Sequence, residues 1–208
     1  MDNEHLIQLM KSIDFSCKKH RDQRRKDSHS TPYINHPIGV AYNLIKAGVY
    51  DSDILQAAIL HDTIEDTQTT KEEIIKEFGE RVASYVMDVT DDKSLSKQER
   101  KKHQIEHALH IQNESKLVKM ADKLFNLRDI QTNAPPSWSV DVIQGYFVWA
   151  KAVINNLRGQ NQWLESQLDE IFNSTFTFKG SQYPTIPCTP DKEPEILENY
   201  YKILVGKD

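Results

Sequence analysis

Apolar residues recur every three or four places near the start of the chain, at Leu6, Leu9, Met10, Ile13, Phe15 and Cys17. That spacing gathers them on one side of a helix and predicts one over 4–20. The polar stretch 26–32 interrupts the pattern. Pro37 then sits where a first helical turn tolerates it, and Val40, Leu44 and Ile45 carry this second helix to a stop at Gly48. A third helix is expected over 51–66, capped by Asp51 or Ser52. Thr70 and Glu73 have the spacing of a capping box and open a helix ending at Phe78-Gly79. Val82, Val86 and Val89 mark a short helix over 80–89, and 91–96 is a polar loop. Further helices are predicted over 97–113, 115–131, 139–158 and 161–172, with Pro135-Pro136 breaking the chain between the second and third of these. Strand-like alternation never extends beyond a few residues, so the fold class is all-α. Segment 175–195 carries Pro184, Pro187, Pro190 and Pro194 among many Ser and Thr, and reads as a linker or surface arm. A last short helix over 195–205 would carry Ile196, Leu197, Tyr200, Tyr201 and Leu204.

Composition narrows the class. The chain has 208 residues, 38% hydrophobic and 27% charged, which suits an ordinary globule with its own core. No apolar run approaches the ~20 residues that span a bilayer. The opening Met-Asp-Asn-Glu-His lacks a basic lead and an apolar segment, so no secretory leader is expected. Cys17 and Cys188 are far apart and make no disulfide framework. These points favour a reducing, cytoplasmic setting without a membrane partner. Net charge is −5, against nucleic acid as partner, yet Lys18, Lys19, Arg21, Arg24, Arg25 and Lys26 face only Asp22 within nine residues. That run is either a solvated helix face or a cradle for a compact polyanion.

Several residues would be costly to fold without a partner. The run Ile54-Leu55-Gln56-Ala57-Ala58-Ile59-Leu60 is apolar nearly all round and should be buried. His61, Asp62, Glu65 and Asp66 follow directly. Buried carboxylates destabilise by several kcal/mol unless paired or metal-bound, and acidic i,i+4 neighbours repel. The plainer alternative is a helix end emerging into solvent, which suits Glu65 and Asp66 better than His61-Asp62. Asp122 interrupts the apolar face of Leu117, Met120, Ala121 and Leu124, and either meets the same partner or pairs with Lys119 or Lys123 at the surface. His36 precedes Pro37 on a separate segment. Two imidazoles and two carboxylates without thiolate suit a divalent ion such as Mn²⁺, Fe²⁺ or Zn²⁺.

The adjacent His61-Asp62, with a separate His before and an Asp far after, resembles the HD superfamily of metal-dependent phosphohydrolases. The longer runs are more specific. Thr31-Pro32-Tyr33-Ile34-Asn35-His36-Pro37, Ala58-Ile59-Leu60-His61-Asp62-Thr63-Ile64-Glu65-Asp66-Thr67 and Lys116-Leu117-Val118-Lys119-Met120-Ala121-Asp122-Lys123-Leu124-Phe125-Asn126-Leu127 resemble the hydrolase domain of the RelA/SpoT family. The compact length and Gln23-Arg24-Arg25-Lys26-Asp27 are most similar to its stand-alone animal members, the metazoan SpoT homologs. The resemblance runs from about residue 4 to 172 and implies an HD-type helical bundle over 1–173, with 174–208 a Pro-rich C-terminal arm outside the family pattern. It implies one Mn²⁺ on His36, His61, Asp62 and Asp122, with Glu65 and Asp66 as the catalytic acidic pair. The implied reaction is hydrolysis of the 3′-pyrophosphate of guanosine 3′,5′-bis(diphosphate) (ppGpp) to GDP and pyrophosphate. The animal branch is also associated with removal of the 2′-phosphate of NADPH.

A polyanionic nucleotide would need cationic and stacking contacts. Arg25 and Lys26 precede His36 by ten or eleven residues and are the first candidates. Asn126, one turn beyond Asp122, would donate to sugar or phosphate. Lys97, Arg100, Lys101 and Arg128 are further cationic candidates, and Tyr146 either flanks the nucleotide or is simply core. Two readings compete with the hydrolase. One is a non-catalytic nucleotide sensor on the same fold, which would lack a ligand or an acid, and none of the six is missing. The other is a nucleic-acid module using 18–26, disfavoured by the net charge and by the lack of interleaved aromatics. Oligomeric state is not legible.

Overall fold

A computed structural model describes residues 3–205 and is mostly helical. The chain divides into two compact units, residues 3–91 with 111–125, and residues 92–110 with 126–205. Among the described residues no helix is long and apolar enough to cross a membrane.

The first unit is built around a buried helix. Helix α1 spans Asn3–Lys19, α2 Asn35–Lys46, α3 Ser52–Leu60, α4 Thr63–Asp66 and α5 Lys71–Val89, and the first part of α7 (Asn113–Asn133) completes the unit. Asp51 caps α3 by accepting from the N–H groups of Asp53 and Ile54. Leu55, Ala57, Ala58 and Leu60 have no exposed surface, and α3 packs against α1, α2 and α5. The expected single helix over 51–66 is instead two, broken at His61-Asp62. Two side chains cause the break by taking carbonyls that a continuing helix would use. His61 Nδ1 donates to Ala58 O at 2.8 Å, and Thr63 Oγ1 donates to Leu60 O at 2.6 Å.

Helix α1 buries a different face from the one its apolar spacing predicts. Ser12 and Ser16 are fully buried, whereas Leu6, Ile7 and Met10 are more than half exposed. Small hydroxyl side chains let α1 lie close to α3, and Ser12 satisfies its own hydroxyl on Leu9 O at 2.7 Å. Thr70 caps α5 as expected, but Glu73 turns its carboxylate to Lys19 at 2.8 Å. Gly79, at φ 88°, kinks α5 where two helices were expected.

In the second unit, α6 (Lys97–His107) starts at a complete capping box between Ser96 and Glu99 and ends earlier than the predicted residue 113. Helices α8 (Val140–Asn155) and α9 (Gln162–Phe172) match their predicted spans. Residues 175–195 differ most from expectation. They form a hairpin of β1 (Thr175–Phe178) and β2 (Ser181–Pro184), followed by a 3-10 turn at Pro190–Lys192 and by α10 (Glu193–Leu204). Thr-Phe-Thr-Phe alternates at the two-residue period of a strand, burying Phe176 and Phe178. Lys179 and Gly180 turn the chain with φ of 49° and 82°. Thr185 is fully buried and bonds the carbonyls of Ile171, Phe172 and Ser174. α10 then packs on α8, where Lys151 pairs with Glu193 and Tyr200 covers Gly145.

A Cβ on Gly145 would lie 2.6 Å from the Tyr200 ring, a separation that forces one side to move. Gly145→Ala should therefore destabilise the protein by about 1–3 kcal/mol, the usual range for overpacking, read from the urea midpoint. An unchanged midpoint would show that α10 is not seated on α8 in solution.

Candidate metal and catalytic site

Three segments of the first unit bring four donor atoms together. His36 comes from α2, His61 and Asp62 from the break between α3 and α4, and Asp122 from α7. His36 Nε2 lies 3.1 Å from His61 Nε2, 3.3 Å from Asp62 Oδ2 and 3.2 Å from Asp122 Oδ1. His61 Nε2 lies 3.0 Å from Asp62 Oδ2 and 3.8 Å from Asp122 Oδ1. Both imidazoles are almost fully buried. An ion with bonds of ~2.1 Å needs neighbouring ligand atoms ~3.0–3.4 Å apart; His36, His61 and Asp62 fit that range, and Asp122 fits it toward His36 while lying 3.8 Å from His61. Donor chemistry agrees, since two nitrogens and two oxygens without thiolate suit a borderline-to-hard divalent ion.

Local structure explains why these atoms converge. Because Ala58 O can only accept, the proton of a neutral His61 sits on Nδ1 and leaves the Nε2 lone pair facing the cluster. Asp62 is held by the Tyr33 hydroxyl, which donates to Oδ2 at 2.6 Å. Asp122 offers Oδ1 to the imidazoles, while Lys123 Nζ holds its Oδ2 at 2.9 Å. α2 reaches α7 because Gly39, one turn after His36, has no side chain. A Cβ there would sit 2.0 Å from the Phe125 ring, which itself packs on His36 with centroids 5.0 Å apart.

Electrostatics show the demand for positive charge. Burial works against a charged His61, but Asp62, hydrogen-bonded to it, and Asp122 overcome this and raise its pKa to about 9. Burial would raise both carboxylates, yet Asp62 is held well below the usual range by His61 and His36, and Asp122 is lowered by Lys123 and His36. Burial, then Asp62, pushes Tyr33 far up, so it stays a protonated donor. A proton on His61 thus supplies charge that a cation would supply.

Glu65 and Asp66 lie on α4, within a turn of Asp62. Glu65 Oε2 accepts the Asp91 N–H at 3.1 Å. Burial, then the charges of Asp91 and Asp62, raises its pKa to about 7. Asp66 is exposed and accepts from Gln23 Nε2 at 2.8 Å. Lys119, only 4% exposed, is attracted to Asp91, Asp122 and Glu65 although burial and Lys123 lower its pKa. Periodicity placed Lys119 as a possible surface partner of Asp122, and it is instead buried. Sequence reasoning also missed Tyr33, Gly39 and Asp91, whose roles come from contacts remote in sequence.

The basic run divides. Lys18 pairs with Asp14 and Lys19 with Glu73, Arg21 meets Asp22, and Arg24 bonds the carbonyls of Arg21 and Gln23. Arg25 alone lies beside the cluster, its guanidinium carbon 5.8 Å from the Tyr33 ring centre and 5.7 Å from that of Phe125. Lys26 is exposed. Lys97, Asn126 and Tyr146 belong to the second unit, as do Arg100, Lys101 and Arg128. There Tyr146 contacts Trp138 and Trp149 at 5.6 and 5.1 Å, Lys101 lies over Tyr146 and Trp149, and Arg128 bonds Gln167.

The HD domain family matches residues 12–146, well over half the chain. The chain is 52% identical to the guanosine-3′,5′-bis(diphosphate) 3′-pyrophosphohydrolase MESH1 of Danio rerio over 165 residues, covering 79% of this chain and 92% of that protein. It is also 52% identical to the human protein of the same name, over 79% of this chain and 93% of that one. A solved structure of a metazoan ortholog of SpoT, described as hydrolyzing ppGpp and playing a role in starvation responses, superposes with TM-score 0.78 at 51% identity, covering 79% of this chain and 93% of that one.

Two outcomes test this geometry. Gly39→Ala should force α2 and Phe125 apart and lower divalent-ion content after dialysis relative to wild type, measured by elemental analysis. Full retention would show that the close approach is not what assembles the donors. Glu65 has a folded pKa above its unfolded value of about 4.5, so its stability is complete below that pH and falls as pH rises through about 7. In ion-free protein, Glu65→Gln should therefore gain about 1–3 kcal/mol at pH 8 and nothing below pH ~4.5, by urea unfolding. A pH-independent difference would contradict the burial of an ionising Glu65.

Proposed function

This chain belongs to the HD domain family, and from that premise we propose that it hydrolyses the 3′-pyrophosphate of ppGpp to GDP and pyrophosphate. The observation that carries the proposal is the four-donor cluster with a carboxylate titrating near neutrality beside it. The identity to the pyrophosphohydrolases named above supports the choice of ppGpp. We assign His36, His61, Asp62 and Asp122 as ligands of one Mn²⁺. Bound there, a divalent ion supplies Lewis acidity toward a phosphoryl oxygen and eases ionisation of water.

The chain's own residues handle the proton. Ionised Glu65 accepts it from the attacking water as the water oxygen bonds to the 3′-phosphorus. The bond from that phosphorus to the ribose 3′-oxygen breaks, its electron pair stays on the 3′-oxygen, and protonated Glu65 returns the proton there. A pKa near 7 suits both halves of this exchange. Asp66, anchored by Gln23, orients the water. Arg25 meets the phosphates or stacks on the base, and its position over Tyr33 and Phe125 supports that role. Lys26 is assigned as a further contact of the nucleotide. The partner is thus a small nucleotide rather than nucleic acid or membrane. Cytoplasmic placement is part of the same proposal, and two free cysteines suit it.

Purified protein loaded with Mn²⁺ and given ppGpp or NADPH in parallel, with products separated by ion exchange, tests the assignment. GDP and pyrophosphate should form from ppGpp. Asp62→Ala should lose both bound ion and turnover. Glu65→Gln should keep the ion while kcat falls about 10²–10⁴-fold. Phosphate release from NADPH with ppGpp left intact would move the substrate to the 2′-phosphate. An ion-loaded protein inert on both would leave a nucleotide sensor.

A further inference from the structure

Helix α6 carries a histidine pair that the hydrolytic site does not use. The segment Lys102-His103-Gln104-Ile105-Glu106-His107-Ala108-Leu109-His110 places imidazoles at positions 103, 107 and 110, an i, i+4, i+7 series. The His103 and His107 rings lie nearly parallel, with centroids 5.1 Å apart and 16° between their planes. His103 is exposed and His107 half-buried.

The helix beneath them is a fixed platform. Trp149 Nε1 donates to Lys101 O at 2.9 Å, and Asn156 Nδ2 donates to Ile105 O at 2.8 Å. Both donors come from the α8 region, so positions 101 and 105 mark the side of α6 turned to α8. A helix rotates ~100° per residue, so 103 and 107 lie ~200° away from that side, toward solvent. The capping box at Ser96 and Glu99 fixes the start of the same helix. The helix ends at His107, where the negative end of the helix dipole favours cations, and His110 follows one turn on, its N–H on His107 O at 2.9 Å.

Asp92 adds a carboxylate within attraction of His103. Ser94 binds its Oδ1 through both N–H and hydroxyl, at 2.8 and 2.6 Å, which fixes the group in place.

We propose that His103 and His107 form a second metal site, a two-imidazole chelate for a borderline transition ion such as Ni²⁺, Cu²⁺ or Zn²⁺. Two histidines at i,i+4 on one helix face have Cβ atoms ~5–6 Å apart, within reach of one ion by side-chain rotation. Imidazole pairs favour these ions over Mn²⁺ or Mg²⁺, which prefer oxygen-rich sets. The site differs in kind from the hydrolytic cluster, which mixes imidazole with carboxylate in a buried setting. Asp92 or His110 is the candidate third ligand, with water filling the rest. The proposal stands independently of the catalytic reading, because no residue in it has a role there.

Calorimetric titration of ion-free full-length protein with Ni²⁺, with Cu²⁺ EPR on parallel samples, tests it. Wild type should take up one more equivalent of Ni²⁺ than His103→Ala or His107→Ala, and its Cu²⁺ EPR spectrum should contain a second two-nitrogen component, beyond that of the His36-His61 cluster, which both variants lack. Mn²⁺-supported ppGpp hydrolysis should be the same in all three proteins, which separates this result from any failure of the catalytic assignment. Equal Ni²⁺ uptake in wild type and both variants, or a Cu²⁺ spectrum unchanged by either substitution, overturns the site. Circular dichroism of the variants, both altered toward solvent, should match wild type; a lost helical signal would instead show that the pair is structural.

Discussion

Two carboxylates held within about 3.8 Å of two buried imidazoles set the terms for the first unit. Such a cluster folds only with positive charge at its centre, supplied by a proton on His61 or by a bound cation. The surrounding structure serves that requirement. Tyr33 donates to Asp62, and Lys123 neutralises the far side of Asp122. Gly39 lets α2 and α7 come near enough for His36 to reach Asp122. The break after Leu60 points His61 and Asp62 into the same space, which a continuous helix would not do at adjacent positions.

Much of this was readable beforehand because it depends on local chemistry. Helix spans follow from apolar spacing, and the cost of His61-Asp62 beside an apolar run signals an unseen partner before any fold is known. Features that depend on a second segment were not readable. Ser12 and Ser16 are buried because α1 comes close to α3, and a serine stripe carries no hydrophobic signal. Gly39 in a helix reads as a weak position until Phe125 is opposite it. The hairpin over 175–184 was obscured by composition, since Pro and Thr suggest an arm while the four-residue Thr-Phe alternation is too short to stand out. The basic run looked like one feature, yet its charges divide between helix-face pairs and a single arginine beside the cluster.

Resemblance and geometry make different contributions. The family match fixes fold and reaction class, and the cluster brings His36, His61, Asp62 and Asp122 together in space rather than merely in order. A degenerate relative with a sensing role would most easily lose Glu65 or Asp66, since neither is needed to hold an ion. Both are present, and Glu65 lies in surroundings that lift its pKa to about 7.

Those surroundings favour a proton carrier over a permanent anion. A carboxylate with an ordinary pKa would be a weak base at neutral pH and could not return a proton to a departing alkoxide. Burial and the neighbouring Asp91 and Asp62 charges move Glu65 into the range where taking and giving a proton are balanced. The Asp91 backbone N–H works the other way, stabilising the anion while fixing its direction, and buried Lys119 nearby limits the accumulated negative charge. A cation on the four donors would draw the value down again. The acidic surroundings of Glu65 act in the opposite direction and offset part of that fall.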